Sequence, residues 1–514
     1  MKSDELGNLQ PSSFLDRAGL RGFPWKSAIT LYTISYGWLF FVFDWLGWDD
    51  VWFLSESYNN NVNEAGLPPW AYSFTFVFNQ FGPGIFRFFT FFEFFVSGLC
   101  LFAVLRNLRS FLFLSKYEIN LIVLLFLVLP FNTARVSVNL FAYSSAYCIF
   151  FIAWYLMAQF KSKTSFLISS VLFFFSFLHA MLIPFFLLPL LHLIQKSTEL
   201  TKQKSFGVIF RKKLTLFGIV PVIYWVCRNL FWPDKIKNYQ FHFLPFLTIS
   251  FYLVVTLAIM LFVFRFRKKS QNRYFLILLI GVLAVVLGMF AAVATWVLRD
   301  YPFLKYPIVM LGRSAWFNRH LILQPLGVSL IVVSCIGLIS RGNDRLKVIT
   351  SRVVLATAVL FSFCFGLECV IDYQKQKKII EEISISDISD IRGWTFIDET
   401  ALLNARGRGF TDQDWSIFIF KGNSKLIDIK KEFMPNFIQT ECPVNQKALE
   451  SNALVTIDGP ETHWQALKNW VSDGDMGFKV TIDDTPGACK PGMATTARVS
   501  GAIPILFYFT GAKG

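Results

Sequence analysis

The stretch "PGIFRFFTFFEFFVSGLCLFAVL" at residues 83–105 decides the class of this protein. A helix needs about 20 apolar residues to cross the roughly 30 Å hydrocarbon core of a bilayer. This run is long enough, and only Arg87 and Glu93 interrupt it with charge. The sequence therefore predicts a membrane-spanning helix at this position.

The composition of the whole chain also indicates a protein that lies in a membrane. Hydrophobic residues make up 54% of the 514 residues and charged residues only 16%, whereas an ordinary soluble domain has about 25% charged residues. The mean hydropathy is +0.49, and the 60 phenylalanines would be hard to bury in a water-soluble core. We therefore predict a polytopic membrane protein.

Apolar runs of similar length recur along the chain, so we predict an all-α membrane bundle of about eleven transmembrane helices. The segment 164–195 is long for one helix and short for two, and basic residues flank it on both sides. Because loops rich in Lys and Arg stay cytoplasmic, we expect it to turn near His179 to Pro184. The predicted spans are 28–46, 83–105, 119–133, 138–160, two short spans within 164–195, 213–231, 243–264, 274–298, 317–339 and 350–371.

Basic residues also predict the orientation of the chain. The segments assigned to the cytoplasm carry 24 Lys and Arg residues, and the outer segments of the membrane portion carry 9. We expect residues 1–27 to be cytoplasmic, 28–371 to form the transmembrane domain, and the first span to act as an uncleaved signal anchor. The net charge of +15 follows from this bias and suits contact with membrane lipids, so it does not indicate a nucleic-acid partner.

Residues 372–514 differ in composition and are predicted to form a soluble α+β domain outside the cell membrane. The segments "WSIFIFKG", "ALVTIDG", "GFKVTID" and "IPILFYF" have the content of strands. The segment "GPETHWQALKNWV" reads as a helix with Pro460 near its first turn.

Cys442 and Cys489 are the two cysteines of this tail. A pair of cysteines in an outward-facing domain predicts a disulfide formed in an oxidising compartment. The alternative is two unrelated thiols. The chain has no CxxC or HExxH spacing, no Walker loop and no GxGxxG motif after a strand, so direct use of ATP or a dinucleotide is not expected.

Two adjacent acids, Asp49 and Asp50, follow the first predicted span in "GWDDVWFL" at residues 47–54. They stand between aromatic residues that favour the membrane surface. Such surroundings raise carboxylate pKa values, and two neighbouring acids raise each other's. We consider two readings of the pair, namely a solvated end to the span and a functional site.

Cationic residues in or beside apolar sequence are predicted on the same side. Ionisable residues at such depth are costly and usually line a cavity or pair with another group, although interface anchoring and, for the histidines, structural packing are the alternatives. Cations with a carboxylate among them would suit a lipid-linked phosphate and a base. The set comprises Arg87, Arg135, Arg313, Arg319 and His320, with His179 at the predicted turn.

The first outer loop with "WDDVWF", followed by "FGPGIFRFFTFFEFF", resembles the C-type glycosyltransferase superfamily. The "SFLHAMLIPF" hairpin is similar to His-bearing segments of bacterial polysaccharide-assembly membrane proteins. "GRSAWFNRHLILQPLG" is similar to late-loop Arg/His segments of bacterial members. The tail matches no family known to us.

The resemblance implies an enzyme of the bacterial inner membrane that uses a polyprenyl-phosphate-linked sugar as donor and a glycan, lipid or protein as acceptor. Asp49 or Asp50 would be the catalytic base, and inversion at the anomeric carbon would be the default. Some family members pair this acid with a divalent cation and others do not, so the metal requirement stays open. The implied substrate-binding residues are Arg87, Arg135, His179, Arg313, Arg319 and His320.

Three other functions remain open. An O-antigen-type polysaccharide polymerase joins lipid-linked oligosaccharides and usually depends on outer-loop arginines. A transporter or flippase for lipid-linked sugars should keep its ionisable residues near the middle of the membrane. A non-enzymatic assembly protein would need neither the acids nor the cations for chemistry.

Overall fold

The computed structural model describes part of the chain, and every structural statement below concerns that part. The described residues are 18–46, 50, 72–160, 162–179, 182–200, 206–232, 273–294, 322–340, 342–388, 394–400, 410, 412–427, 454–485 and 488.

The described part is mostly helical, with three short strands. The helices are α1 Trp25–Tyr36, α2 Tyr72–Phe81, α3 Gly84–Asn107, α4 Arg109–Leu112, α5 Lys116–Val128, α6 Phe141–Gln159, α7 Lys163–Ser176, α8 Leu182–Phe185, α9 Leu187–Leu200, α10 Phe206–Phe231, α11 Arg273–Ala294, α12 Gln324–Ser340, α13 Asp344–Ile385, α14 Asp412–Gly422 and α15 His463–Asp473. The strands are β1 Thr395–Asp398, β2 Leu454–Asp458 and β3 Lys479–Asp483, and 3₁₀ segments cover Gly37–Phe40, Pro130–Val136 and Val138–Leu140.

Three of the described helices, α3, α6 and α13, are long and apolar enough to cross a membrane, which indicates a membrane protein. Shorter apolar helices include α7, α11 and α12. The predicted number of about eleven crossings stays a prediction, and the predicted span 243–264 lies outside the described residues.

Several predicted spans differ from the observed helices. The predicted span 28–46 is a helix only to Tyr36 and continues as the 3₁₀ segment Gly37–Phe40. The predicted span 119–133 ends as a helix at Val128, because Leu129 is extended, the conformation that a following proline favours. The segment 164–195 is interrupted between α7 and α8, close to the predicted turn, and its two short crossings stay a prediction.

The contacts between helices define two ends of the bundle. At one end, the side chain of Glu118 accepts hydrogen bonds from Lys347 Nζ at 2.6 Å and Tyr274 Oη at 2.8 Å. Arg273 Nη2 lies 3.3 Å from the same oxygen. We call this the Glu118 end. It joins α5, α11 and α13.

The opposite end contains Asp50, Arg87 and Asp372, and we call it the Asp50 end. Segments predicted to be cytoplasmic meet at the Glu118 end, where Arg106 Nη1 donates to the carbonyl of Gly19 at 2.9 Å. Segments predicted to be outside meet at the Asp50 end. Which end faces the cytoplasm stays a prediction.

Helix α13 is 42 residues long and passes without a break through Asp372. The predicted domain boundary between 371 and 372 therefore lies inside a helix, and the division of the chain into 28–371 and 372–514 stays a prediction. The shift in composition after Asp372 does not end the helix. Lys378 pairs with Glu382 four residues later at 2.9 Å, an arrangement that favours a helix in water.

The tail contains one sheet in the order β1-β2-β3, with β1 parallel to β2 and β3 antiparallel to β2. The strands predicted in "ALVTIDG" and "GFKVTID" and the helix predicted in "GPETHWQALKNWV" are confirmed. The strand predicted in "WSIFIFKG" is wrong, because this segment lies in α14 with Trp415, Ile417 and Phe418 fully buried. A short, continuous apolar run does not distinguish a buried strand from a buried helix. The segment "IPILFYF" lies outside the described residues.

The tail packs directly onto the Asp50 end. One apolar cluster joins Leu46 and Phe86 of the bundle with Ile379 of α13 and Trp415 of α14. Burial of large apolar side chains contributes roughly 1.5–3 kcal/mol each. The tail and this end of the bundle therefore share a core.

Candidate functional site

Asp50 is fully buried at the Asp50 end. Ser137 Oγ donates a hydrogen bond of 2.6 Å to Asp50 Oδ1. Ser137 stands between the 3₁₀ segments Pro130–Val136 and Val138–Leu140, so its hydroxyl is held by a well-defined turn of the backbone. The neighbouring Asp49 lies outside the described residues.

Arg87 is in the first turn of α3 and is 1% exposed. Its Nε donates to the carbonyl of Val136 at 3.1 Å, and its two terminal nitrogens donate to the carbonyls of Phe43 and Trp45. Asp50 is close enough to act on this guanidinium electrostatically. Arg87 therefore holds together the segments that surround Asp50, and its predicted contact with substrate stays a prediction.

Trp45 connects the same end to α13. Its Nε1 donates a hydrogen bond of 2.7 Å to Asp372 Oδ2, and Gln376 Nε2 lies 3.3 Å from that oxygen. All three side chains are buried. A buried polar network of this kind fixes one arrangement of its members, so α13 has a defined position beside Asp50.

Arg135 lies deeper, between two aromatic rings. Its guanidinium carbon is 4.0 Å from the centre of the Tyr36 ring and 3.8 Å from that of Phe94. Its Nη1 also donates to Tyr32 Oη at 3.2 Å. Desolvated cation–π contacts of this kind can each contribute about 2 kcal/mol. Arg135 thus lies on the inner side of the 3₁₀ segment Pro130–Val136. The last carbonyl of that segment, on Val136, accepts a hydrogen bond from Arg87.

Two further ionisable groups lie within the bundle. Glu93 Oε1 accepts a hydrogen bond of 2.7 Å from Ser145, whereas Glu93 Oε2 has no hydrogen-bond partner among the described residues. His179 is 1% exposed, and neither ring nitrogen has a partner in the same part of the chain. Its ring contacts the edge of Tyr143 with centres 4.3 Å apart. Both groups retain capacity for another hydrogen bond.

A second polar cluster attaches the tail to α13. Lys375 Nζ is 2.5 Å from both Asp398 Oδ2 and Thr400 Oγ1, and Lys375 is 2% exposed. His463, at the start of α15, lies near Lys375. Burial, together with the nearby lysine cation, lowers the pKa of His463 to about 4.

The structure thus brings Asp50 and Arg87 together and places Arg135 on the adjoining backbone segment. His179 lies within the bundle, against Tyr143. The remaining predicted site residues lie outside the described residues, namely Asp49, Arg313, Arg319, His320, Cys442 and Cys489. Among the described residues, no three His, Cys, Asp or Glu side chains form a group that could hold a metal ion.

Sequence reasoning did not select Ser137, Trp45 or Lys375. Ser137 carries no local signal, because its partner is 87 positions away. Asp372 did carry a signal, since it is the first charged residue after the predicted span 350–371, but a charge in that position indicates a boundary and not a contact.

No family model, no curated protein and no solved structure matches this chain.

Proposed function

We propose that this chain is a membrane glycosyltransferase that transfers a sugar from a polyprenyl-phosphate donor to a glycan, lipid or protein acceptor. Asp50 is its general base. The observation that carries the proposal is a fully buried carboxylate, oriented by Ser137, beside a fully buried arginine at one end of a membrane bundle.

The reaction needs few protein groups. The acceptor hydroxyl attacks the anomeric carbon and forms the new C–O bond, while the bond from that carbon to the donor phosphate oxygen breaks. The phosphate leaves with the electron pair, and the hydroxyl proton passes to Asp50. A positioned carboxylate in this role typically contributes about 10²–10⁴-fold to the rate. One displacement with no enzyme nucleophile inverts the anomeric carbon.

The leaving phosphate gains negative charge, so cations near it stabilise the transition state. Arg313, Arg319 and His320 are proposed for this contact, and Arg135 is close to the same end. Arg87 acts by positioning, because its donors hold the backbone around Asp50. Every step above uses protein groups alone. A divalent cation is left as an open requirement.

The test is transfer from a labelled polyprenyl-phosphate sugar by the purified protein. Asp50→Asn preserves shape but removes the base, so turnover should fall by at least about 10²-fold with little change in donor affinity. Asp44→Asn is the matched control, because Asp44 is an exposed acid in the same segment, and it should stay near normal. Replacing Arg313 or Arg319 should instead weaken donor binding.

Asp49→Asn and the double variant complete the series. If Asp49 is the base, the loss appears in that single variant and Asp50 becomes its orienting partner. Near-normal turnover in the double variant would exclude both acids and overturn the proposal.

Glu93 and His179 favour a second candidate, a transporter or flippase of lipid-linked sugars. Both are within the bundle and have unused hydrogen-bonding atoms among the described residues, as intramembrane sites on a transport path often do. Reconstituted protein that moves a lipid phosphate sugar between leaflets without forming product would support this candidate. An O-antigen-type polymerase would require an oligosaccharide donor and would be inactive with a single sugar.

A further inference from the structure

Helix α15, with the sequence "HWQALKNWVSD", is amphipathic with its apolar side outward. At 100° per residue, Trp464, Leu467, Trp470 and Val471 fall within an arc of about 120°. Trp464 is 61% exposed and Val471 78% exposed. The only buried residue of the helix is Ala466. A helix in a soluble domain normally buries its apolar side, whereas the described part of the chain leaves this one largely uncovered.

The exposed apolar residues are concentrated on this helix. In the described part of the chain beyond Asp372, the large exposed apolar residues are Ile385 and three residues of α15, namely Trp464, Trp470 and Val471. Single exposed apolar residues are ordinary, but a group on one face indicates a contact surface.

The start of α15 lies close to the Asp50 end. His463 is near Lys375, which is three residues, or about 4.5 Å along the helix, beyond Asp372. Asp372 in turn binds Trp45. Phe41 and Phe43, just before Trp45, are 69% and 46% exposed, as lipid-facing residues of a membrane protein are. The first turn of α15 is therefore near the level at which the apolar surface of the bundle stops.

The buried side of α15 packs on the bundle. Ala466 belongs to the same apolar cluster as Val370 and Ile371 of α13, and α13 is a candidate membrane span. Asp475, just beyond the last turn of α15, is near Lys378 of α13. Helix α15 therefore lies beside the stretch of α13 around Asp372, where the apolar surface of the bundle stops.

We infer that α15 is an interfacial helix that inserts Trp464, Trp470 and Val471 among the lipid head groups of the leaflet at the Asp50 end. Tryptophan favours this region because its ring is apolar and its N–H stays hydrated. Lys468 follows Trp464 by four residues, so it flanks the apolar arc and can reach lipid phosphates. The contact holds the tail against the membrane and does not depend on the proposed catalysis.

The test uses the full-length protein in lipid nanodiscs, with the photo-reactive residue p-benzoyl-phenylalanine in place of Trp464, Val471 or, as control, Asp473. Val471 and Asp473 are two residues apart and both exposed, but they face about 160° apart around the helix. After illumination, mass spectrometry counts lipid adducts at each position. We expect at least about five-fold more lipid adduct at 464 and 471 than at 473.

Equal lipid adduct at the three positions would overturn the inference. Cross-links from 464 and 471 to a second copy of the chain, without lipid adducts, would also overturn it and would assign the face to self-association. The readout needs no turnover, so an inactive protein with lipid adducts at 464 and 471 would contradict the proposed function and leave the interfacial helix intact.

Discussion

The two ends of the bundle use buried carboxylates differently. At the Glu118 end, one carboxylate accepts hydrogen bonds from Lys347 and Tyr274, with Arg273 beside them, so groups from two helices meet on a side chain of a third. At the Asp50 end, the hydrogen bonds described above to Asp50 and Asp372 come from a hydroxyl, an indole and an amide. Arg87 directs its own donors to backbone carbonyls.

The contacts of Glu118 are those of a structural carboxylate. Burial alone would raise the pKa of Glu118, but hydrogen bonds from Lys347, from the Ser115 backbone and from Tyr274 lower it to about 2. Such a group stays ionised and holds helices together. Asp50 instead receives the neutral hydroxyl of Ser137 and lies beside Arg87, whose own donors are directed to backbone carbonyls.

The largest effect is expected where the tail joins the bundle. Lys375→Met leaves Asp398 buried without its cation, which should destabilise the tail by about 3–5 kcal/mol. The measurement is the denaturant dependence of protease cleavage in the tail of the purified protein. Lys377→Met is the matched control, because the Lys377–Glu381 pair is 57% and 53% exposed, and pairs of this kind contribute at most about 1 kcal/mol. Equal behaviour of the two variants would show that the buried pair does not hold the tail.

Glu118→Gln tests the opposite end. The amide cannot attract Lys347 and Arg273 as a carboxylate does, and hydrogen bonds to charged groups contribute about 1.5–3 kcal/mol. We expect that loss in the free energy of unfolding, measured by thermal or denaturant unfolding in detergent. Turnover per folded molecule should stay unchanged. A variant that is normally stable but inactive would move the functional site to the Glu118 end and reverse the comparison.

Two Ser→Ala variants, one at each end of the bundle, remove the same group, a single hydroxyl. Ser137→Ala removes the hydroxyl that orients Asp50, so turnover should fall about ten-fold, equivalent to about 1.4 kcal/mol, with donor affinity unchanged. Ser115→Ala removes the N-cap of α5, whose hydroxyl accepts from the backbone of Glu118. That change should cost about 1 kcal/mol of stability and leave turnover intact. The prediction fails if both variants lose only stability.

The smallest effect is the pH dependence of the Glu118 end. The pKa of Glu118 is lowered from its ordinary value of 4.5 to about 2. The stability that its charge contributes is therefore present above about pH 4.5 and is lost as the pH falls towards 2. The difference in melting temperature between the natural protein and Glu118→Gln should shrink between about pH 7 and pH 3. A constant difference would show that charge is not what Glu118 contributes.

Local patterns predicted the elements of the fold well where the chain is regular. The predicted span 83–105 is α3, and the predicted span 138–160 is α6, each to within three residues at its ends. The strands β2 and β3 and helix α15 also follow from local composition. Hydrophobic run length and turn residues act over a few neighbours, so one sequence is enough to detect them.

The candidate site could be predicted only in part. Asp50 and Arg87 were selected because charge is rare in apolar sequence, but the partners of Arg87 are backbone carbonyls about 45 residues away in the chain. Every residue has a backbone carbonyl, so the sequence does not indicate which carbonyls accept these hydrogen bonds. The Glu118 end did carry a local signal, since "SKYE" has the spacing of a capping box, but Lys347 is 229 positions from Glu118.

Because α13 is unbroken, its residues fix how the tail is rotated relative to the bundle. Ser362 donates to the carbonyl of Val128 inside the bundle, and Lys375 binds Asp398 in the tail. One residue inserted between these anchors would turn the tail by about 100° around the helix axis and raise it by about 1.5 Å, whereas seven residues would restore its facing and lift it by about 10 Å. The number of residues between Ser362 and Lys375 thus sets both the direction in which the tail faces and its height above Asp50.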